Sequence, residues 1–318
     1  MALSLGGVRL RKCGPAGTAA SGHAISGTPQ EGAPQAGGAP AAADVLPLLA
    51  LGEAVAYLQM DFGLAEAPYH VTADAAPTLS LVVPAYNEER YLPRLLASVA
   101  EARREYESHG GRLETIVADD GSTDGTARIA EDHGCVVASL EVHNIGAARN
   151  GGARVARGEH LVFVDADALI HPRTFSEVDR LLRAARVVGG ASGVRFERWS
   201  PGLAATWAVL VPLVWLTGFD TGAVFCRRAD FVTLGGYNER MRVAEDVDFM
   251  WRLWRLGRAR GQRLVRARNV KAVASVRKFD EHGDWHYFGM VPLGLKLLFR
   301  RGYSDAFVAR YWYDARGR

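Results

Sequence analysis

Cysteine is scarce in this chain: three residues in 318, at Cys13, Cys135 and Cys226, odd in number, far apart and never in a C-x-x-C pair. That argues against a disulfide framework and a zinc knot, and fits small buried thiols in a reducing compartment. Charge of one sign is also lacking. With 38 Lys+Arg against 35 Asp+Glu the formal net charge is +3, too little to argue for a nucleic-acid partner. Three loop motifs are missing. There is no G-x-G-x-x-G after a strand, no G-x-x-x-x-G-K-[ST] and no G-x-S-x-G. Their absence weakens a dinucleotide dehydrogenase, a P-loop NTPase and the common hydrolase elbow. The opening MALSLGGVRLRKCG has no apolar core of a secretory signal. One long stretch, residues 199–219, carries no charge, but it holds Pro201 and Pro212, with Gly202 and Gly218 near its edges. The acidic residues singled out below flank it on both sides, so a buried or interfacial helical segment is expected rather than a membrane span.

What is present falls into blocks. In residues 14–43, Gly, Ala and Pro fill 21 of 30 positions, and Glu31 is the one formally charged residue. Such a segment has little apolar surface to offset its ordering entropy, and a disordered tail is expected over 1–43. Residues 44–75 read as a short amphipathic helix and linker, with Val45, Leu46, Leu48, Leu49, Leu51, Val55 and Leu58 as its apolar set. The main domain is expected over 76–275, followed by a basic and aromatic helical extension over 276–318.

Within the main domain, short apolar runs alternate with helical patterns. Residues 79–84 (LSLVVP), 113–118 (LETIVA), 135–139 and 160–164 (HLVFV) suit buried parallel strands. Leu92, Leu95, Leu96 and Val99 mark one helix face, Thr123 and Asp124 offer caps for a second helix, and residues 144–157 read as loop then helix. This order predicts an α/β fold, Rossmann-like, with a mainly parallel sheet and right-handed crossovers. Ligands of such sheets bind beyond the carboxyl ends of the strands. Acidic residues fall at those ends: Asp119 and Asp120 after one strand, Asp165 and Asp167 after another. One strand-terminal Asp is usually a helix cap. Two clusters on the same edge point further. An Asp-x-Asp turn presents two hard oxygen ligands, suited to Mg²⁺ or Mn²⁺ shared with phosphate oxygens.

These residues fall into a known pattern. Residues 82–89 (VVPAYNEE), 119–126 (DDGSTDGT), 144–152 (NIGAARNGG), 164–168 (VDADA), Thr221-Gly222, Gly235-Gly236-Tyr237, and Glu245-Asp246-Val247-Asp248 before Trp251-Arg252-Leu253 stand in the order seen in family 2 glycosyltransferases. The resemblance spans about residues 79–256. It implies a GT-A fold, with a nucleotide-binding half over 76–170 and an acceptor half over 171–275. It implies inverting transfer of a sugar from a nucleotide-diphosphate donor, UDP preferred over GDP, to an acceptor hydroxyl. A glycan or lipid-linked acceptor is the expectation, the lipid resting on the basic and apolar stretches rather than on the resemblance. By the same resemblance Pro84, Tyr86 and Glu88 would lie against the nucleoside, and Asp119 or Asp120 would bond the base. Arg149 and Gly222 would line the donor site, Asp165 would approach ribose and metal, and Asp167 would hold the Mn²⁺ or Mg²⁺. Asp246 resembles the general base, with Glu245 beside it. An acidic helix start favoured by the N-terminal dipole is the plainer account of that pair.

The sequence departs from the pattern in one place. Many relatives carry a His soon after the base motif, whereas residues 273–277 here read VASVR. Arg277 or Lys278 is the expected substitute, because a guanidinium can grip phosphate with two parallel bonds; His282 or His286 is the alternative. Residues 249–279 hold ten basic residues and no acidic one. That stretch reads as a solvated face or as a surface for anionic lipid, which would put the protein in the cytoplasm, peripheral at the inner membrane face. Two other functions remain open at this point: a nucleotidyltransferase, and a non-catalytic nucleotide-sugar or carbohydrate-binding module.

Overall fold

The computed structural model describes Leu3–Leu5, Val8–Arg11 and residues 76–205, 208, 222–242 and 244–285. The Gly/Ala/Pro-rich block of 14–43, the expected helix and linker of 44–75, residues 209–219 of the charge-free stretch, Thr221 and residues 286–318 lie outside the described residues.

The strands are β1 (Leu3–Leu5), β2 (Val8–Arg11), β3 (Leu79–Ala85), β4 (Leu113–Asp119), β5 (Val136–Ser139), β6 (His160–Phe163), β7 (Val187–Phe196), β8 (Val224–Arg227) and β9 (Arg263–Ala274). The helices are α1 (Leu92–Ser108), α2 (Thr126–Asp132), α3 (Ile145–Val155), α4 (Thr174–Leu182), α5 (Arg228–Thr233), α6 (Glu245–Ala259) and α7 (Arg277–His282). Among the described residues the strands form one sheet in the order β1-β2-β5-β4-β3-β6-β8-β7-β9. Strands β5, β4, β3 and β6 run parallel, with Leu79 opposite both Leu113 and His160. Their carboxyl ends therefore share one edge. Strand β8 runs antiparallel to β6 and β7, so the sheet is mixed on that side.

Alternation along β3 explains the core. Leu79, Leu81, Val83 and Ala85 face a cluster that includes Leu95 and Val99 of α1 and Phe175 and Val178 of α4. Val82 faces the other way, into a cluster with Ala148 of α3 and Phe249, Met250 and Leu253 of α6. Successive strand residues point to opposite faces, and both faces are covered by helices, so the strand reads as an unbroken apolar run. Helix α3 lies close on the sheet. A Cβ at Gly152 would stand 2.5 Å from Val82 Cγ1, which is why small residues follow Arg149 and Asn150.

The tail expected over 1–43 is not wholly without structure. Leu3–Leu5 and Val8–Arg11 pair as an antiparallel hairpin, and β2 adds to the edge strand β5. An edge strand presents unpaired backbone groups and readily accepts such a partner.

Candidate active site

The loop after β3 is laced to the loop after β4. Asn87 sits at φ 52°, in the left-handed region that Asn tolerates better than most residues. Its backbone N–H donates to Ser122 Oγ at 2.9 Å, and its Oδ1 accepts from Thr123 N at 2.8 Å. Glu88 N donates to Thr126 Oγ1 at 2.8 Å, and Gly125 N donates to Glu89 Oε2 at 2.9 Å. Asp120 is buried and its carboxylate accepts three backbone bonds, from Val142 N (2.7 Å), His143 N (3.0 Å) and Asn144 N (2.8 Å). Asp119 beside it accepts from Ser122 N at 3.3 Å. Burial raises the Asp119 carboxyl above the ordinary Asp range, the Ser122 bonds oppose that, and the charges of Asp124 and Asp120 add to it. Tyr86 meets the His143 ring edge-on at 5.2 Å between centroids, and Pro84 is buried within β3.

Helix α3 delivers Arg149 into the middle of the site. Asn144 caps the helix, its Oδ1 accepting from Ala147 N at 2.9 Å. One turn on, buried Arg149 spans two carboxylates: Nη2 lies 2.8 Å from Asp165 Oδ1, and Nη1 lies 2.7 Å from Glu245 Oε1. Its guanidinium carbon stands 5.1 Å from the centre of the Tyr237 ring. The next residue, Asn150, holds the Gly235-Gly236-Tyr237 turn. Its Nδ2 donates to Tyr237 O and its Oδ1 accepts from Tyr237 N. Asp165 and the Arg149 pair thus join the strand edge to the start of α6.

That start is acidic. Ala244 adopts φ 61°, and Glu245, Asp246 and Asp248 fill the first turn, where the helix dipole favours negative charge. Glu245 is buried. Asp246 Oδ1 accepts from Val247 N at 2.8 Å. Burial raises the Asp246 carboxyl above the ordinary Asp range; Arg149 opposes the shift, while Glu245 and Asp165 reinforce it.

Arg277 forms a second bridge from the far end of the chain. Nη1 lies 3.0 Å from Glu88 Oε2 and Nη2 lies 3.1 Å from Asp167 Oδ2, with the Tyr91 ring 4.8 Å from the guanidinium carbon. Glu88, expected against the nucleoside, is buried and faces this guanidinium. The side chain of His282, and His286, lie outside the described residues.

Arg149, Asp165, Glu245 and Asp246 thus form one group, and Glu88, Asp167 and Arg277 a second. Gly222 packs on β7, where a Cβ would stand 2.7 Å from Ser192 Oγ. Tyr91 and His143 were given no part by the sequence reading, and Tyr237 was seen only as part of a motif. The signal for Tyr91 was its place just before α1, three residues after Glu88. Among the described residues no three His, Cys, Asp or Glu side chains gather as a metal site. Asp165 and Asp167 nevertheless supply two carboxylates at one turn, half-exposed and one-quarter exposed. That donor set suits a hard divalent ion completed by phosphate oxygens and water.

A mixed sheet covered by helices, with acidic turns along one carboxyl edge, is the GT-A architecture. The chain belongs to glycosyltransferase family 2, whose sequence model, "Glycosyl transferase family 2", matches residues 80–224. The PGL/p-HBAD biosynthesis glycosyltransferase of Mycobacterium bovis is 31% identical over 190 residues, covering 55% of this chain and 69% of the relative. Dolichyl-phosphate beta-glucosyltransferase ALG5D of Trichomonas vaginalis is 34% identical over 117 residues, 33% of this chain. The match spans only 36% of that relative's length, and 30% of the length of the putative glycosyltransferase EpsH of Bacillus subtilis. Among solved structures, the mannosyltransferase PcManGT of Pyrobaculum calidifontis, in complex with GDP-Man and Mn²⁺, superposes with a TM-score of 0.52 at 25% identity, covering 68% of this chain and 63% of that one.

Proposed function

We propose that the chain is an inverting glycosyltransferase that moves a sugar from a nucleotide-diphosphate donor, UDP preferred over GDP, to a hydroxyl of a glycan or lipid-linked acceptor. The observation that carries this reading is the Arg149 bridge. Arg149 ties Asp165 at the strand edge to Glu245, neighbour of Asp246, although Glu245 lies 96 residues beyond Arg149 in the chain.

In this reading residues 76–170 bind the nucleotide and 171–275 shape the acceptor side. Asp119 accepts from the base, since Asp120 is occupied by three backbone amides. Tyr86 and Pro84 flank the nucleoside. Asp165 and Asp167 hold Mn²⁺ or Mg²⁺, which when bound neutralises charge on the diphosphate. Arg277 adds positive charge there. Asp246 takes the proton of the acceptor hydroxyl as its oxygen bonds to the anomeric carbon. The bond from that carbon to the diphosphate oxygen breaks, and the nucleoside diphosphate leaves with the electron pair. Burial raises the affinity of Asp246 for a proton, which suits a base, and the charge of Arg149 opposes that shift.

A lipid-linked acceptor is supported by the relative named for dolichyl phosphate, and by the outer face of α6. Trp251 there is 48% exposed and stacks on Trp254, while Arg255 and Arg258 lie exposed further along. An aromatic and basic face suits peripheral contact with an anionic membrane. Vesicles with anionic lipid should float the protein at low salt, and failure to float sinks the membrane part alone. Among the described residues no helix is long and apolar enough to cross a membrane.

Thermal shift with UDP- and GDP-sugars, with and without Mn²⁺, tests the donor. A ligand at a hundred times its Kd should add about 2.7 kcal/mol of stability. Asp246→Asn should keep that shift while donor turnover falls about 10²–10⁴-fold. Turnover unchanged by Asp246→Asn removes Asp246 as base. Donor stabilisation with no turnover on any acceptor would instead favour a binding module.

A further inference from the structure

The Arg277 guanidinium is held unevenly. At one end Glu88, its side chain 3% exposed, faces Nη1 at 3.0 Å. At the other, Asp167, 25% exposed, faces Nη2 at 3.1 Å. Tyr91 lies against the guanidinium at 4.8 Å. The Glu88 end is an enclosed anchor, and the Asp167 end is open to solvent. A guanidinium does not lose its proton in a protein, so this charge is permanent.

We infer that Arg277 is a resident cation that competes with the divalent metal for Asp167, with Glu88 as the positioning residue that keeps it there. The inference rests on the proposed assignment of Asp165 and Asp167 to the metal. Two physical effects act together. A carboxylate oxygen accepting from a guanidinium has part of its donor capacity engaged. A fixed positive charge a few ångströms away also repels a divalent ion. When a nucleoside diphosphate arrives, Nη2 can turn to a phosphate oxygen while Nη1 stays on Glu88. Asp167 is then released to the metal, so donor and metal reinforce one another.

The test measures Mn²⁺ affinity of the full chain without nucleotide, from the free-Mn²⁺ electron paramagnetic resonance signal. Arg277→Met keeps length and contact with Tyr91 but removes the charge; it should bind Mn²⁺ about tenfold more tightly, a change of ordinary size for one nearby charge. Arg277→Lys should stay near wild type. Asp167→Asn should weaken Mn²⁺ in either background. Because Arg277→Met leaves buried Glu88 without its guanidinium, Glu88→Gln/Arg277→Met provides a second form, also expected to bind Mn²⁺ more tightly than wild type. Saturating UDP or GDP should tighten Mn²⁺ more in wild type than in Arg277→Met. If Mn²⁺ tightens as expected but no nucleotide binds any form, the competition stands and the glycosyltransferase reading fails. If nucleotides bind but Mn²⁺ affinity is unmoved or weakened in both neutral variants, the competition is overturned and that reading stands.

Discussion

Asp120, after β4, is met by three backbone N–H groups, whereas Asp165 and Asp167, after β6, are met by the guanidinium groups of Arg149 and Arg277. Backbone amides are fixed once the loop is folded, and they cannot follow a ligand. Guanidinium groups sit on long side chains and can exchange one oxygen partner for another. On the proposed reading, the nucleoside end of the site would be built before the donor arrives, whereas the diphosphate end would carry its own cations, free to exchange partners when new negative charge enters.

The largest test of that contrast is Arg149→Ala. It strands buried Glu245 and takes a partner from Asp165. Removing one member of a buried ion pair typically costs about 3–5 kcal/mol. Denaturant unfolding should show a loss of that size, and a loss below about 1 kcal/mol, the usual worth of an exposed pair, would mean Arg149 does not hold the two halves of the site together. Next in size is Asp120→Ala. Three part-buried amides would lose a charged acceptor, at a cost of about 1.5–3 kcal/mol for a hydrogen bond to a charged group. Asp120→Asn keeps one acceptor oxygen and should recover part of the loss. If Asp120→Ala unfolds like wild type, the idea of a prebuilt nucleoside end is wrong.

The parts that could be read from sequence are those decided locally. The run 79–84 becomes β3 and 113–118 becomes β4, each one residue longer, because both are buried on both faces. The cap expected at 123–124 is displaced: Gly125 is the N-cap of α2 and makes no side-chain cap bond. Asp124 Oδ1 accepts from Thr126 N at 2.9 Å at the start of α2, while Thr123 turns to Asn87. The unread parts were set by topology. Glu88 and Arg277 are 189 residues apart, and no spacing rule joins them. They meet because α7 follows β9, and residue Val273 of that strand bridges Leu169, just after the Asp165-Ala166-Asp167 turn. The antiparallel β8 carries no periodicity of its own in four residues, so the mixed half of the sheet was equally hidden. The N-terminal hairpin was missed because the tail was carried back to residue 1 from the composition of residues 14–43, and strands of three and four residues carry little periodicity of their own.

Asp119 supplies the smallest effect and the sharpest contrast with its neighbour. Burial disfavours its charged form and raises its carboxyl above the unfolded value, and the Ser122 bonds only partly offset that. A carboxyl with a raised folded-state pKa binds more protons folded than unfolded, so stability falls as pH rises from the unfolded value through the folded one. The ionised form of Asp119 is then the less favourable one in the folded state. Asp119→Asn, which keeps an oxygen for Ser122, should melt slightly above wild type at pH 7. The gap should close on acidification, once wild-type Asp119 is protonated in both states. Donor binding should weaken in the same variant, because an amide oxygen accepts less strongly than a carboxylate. Asp120→Asn should move stability the opposite way. If both variants melt lower by the same amount at pH 7, the two neighbouring carboxylates have the same structural task, and the division between base contact and loop anchor does not hold.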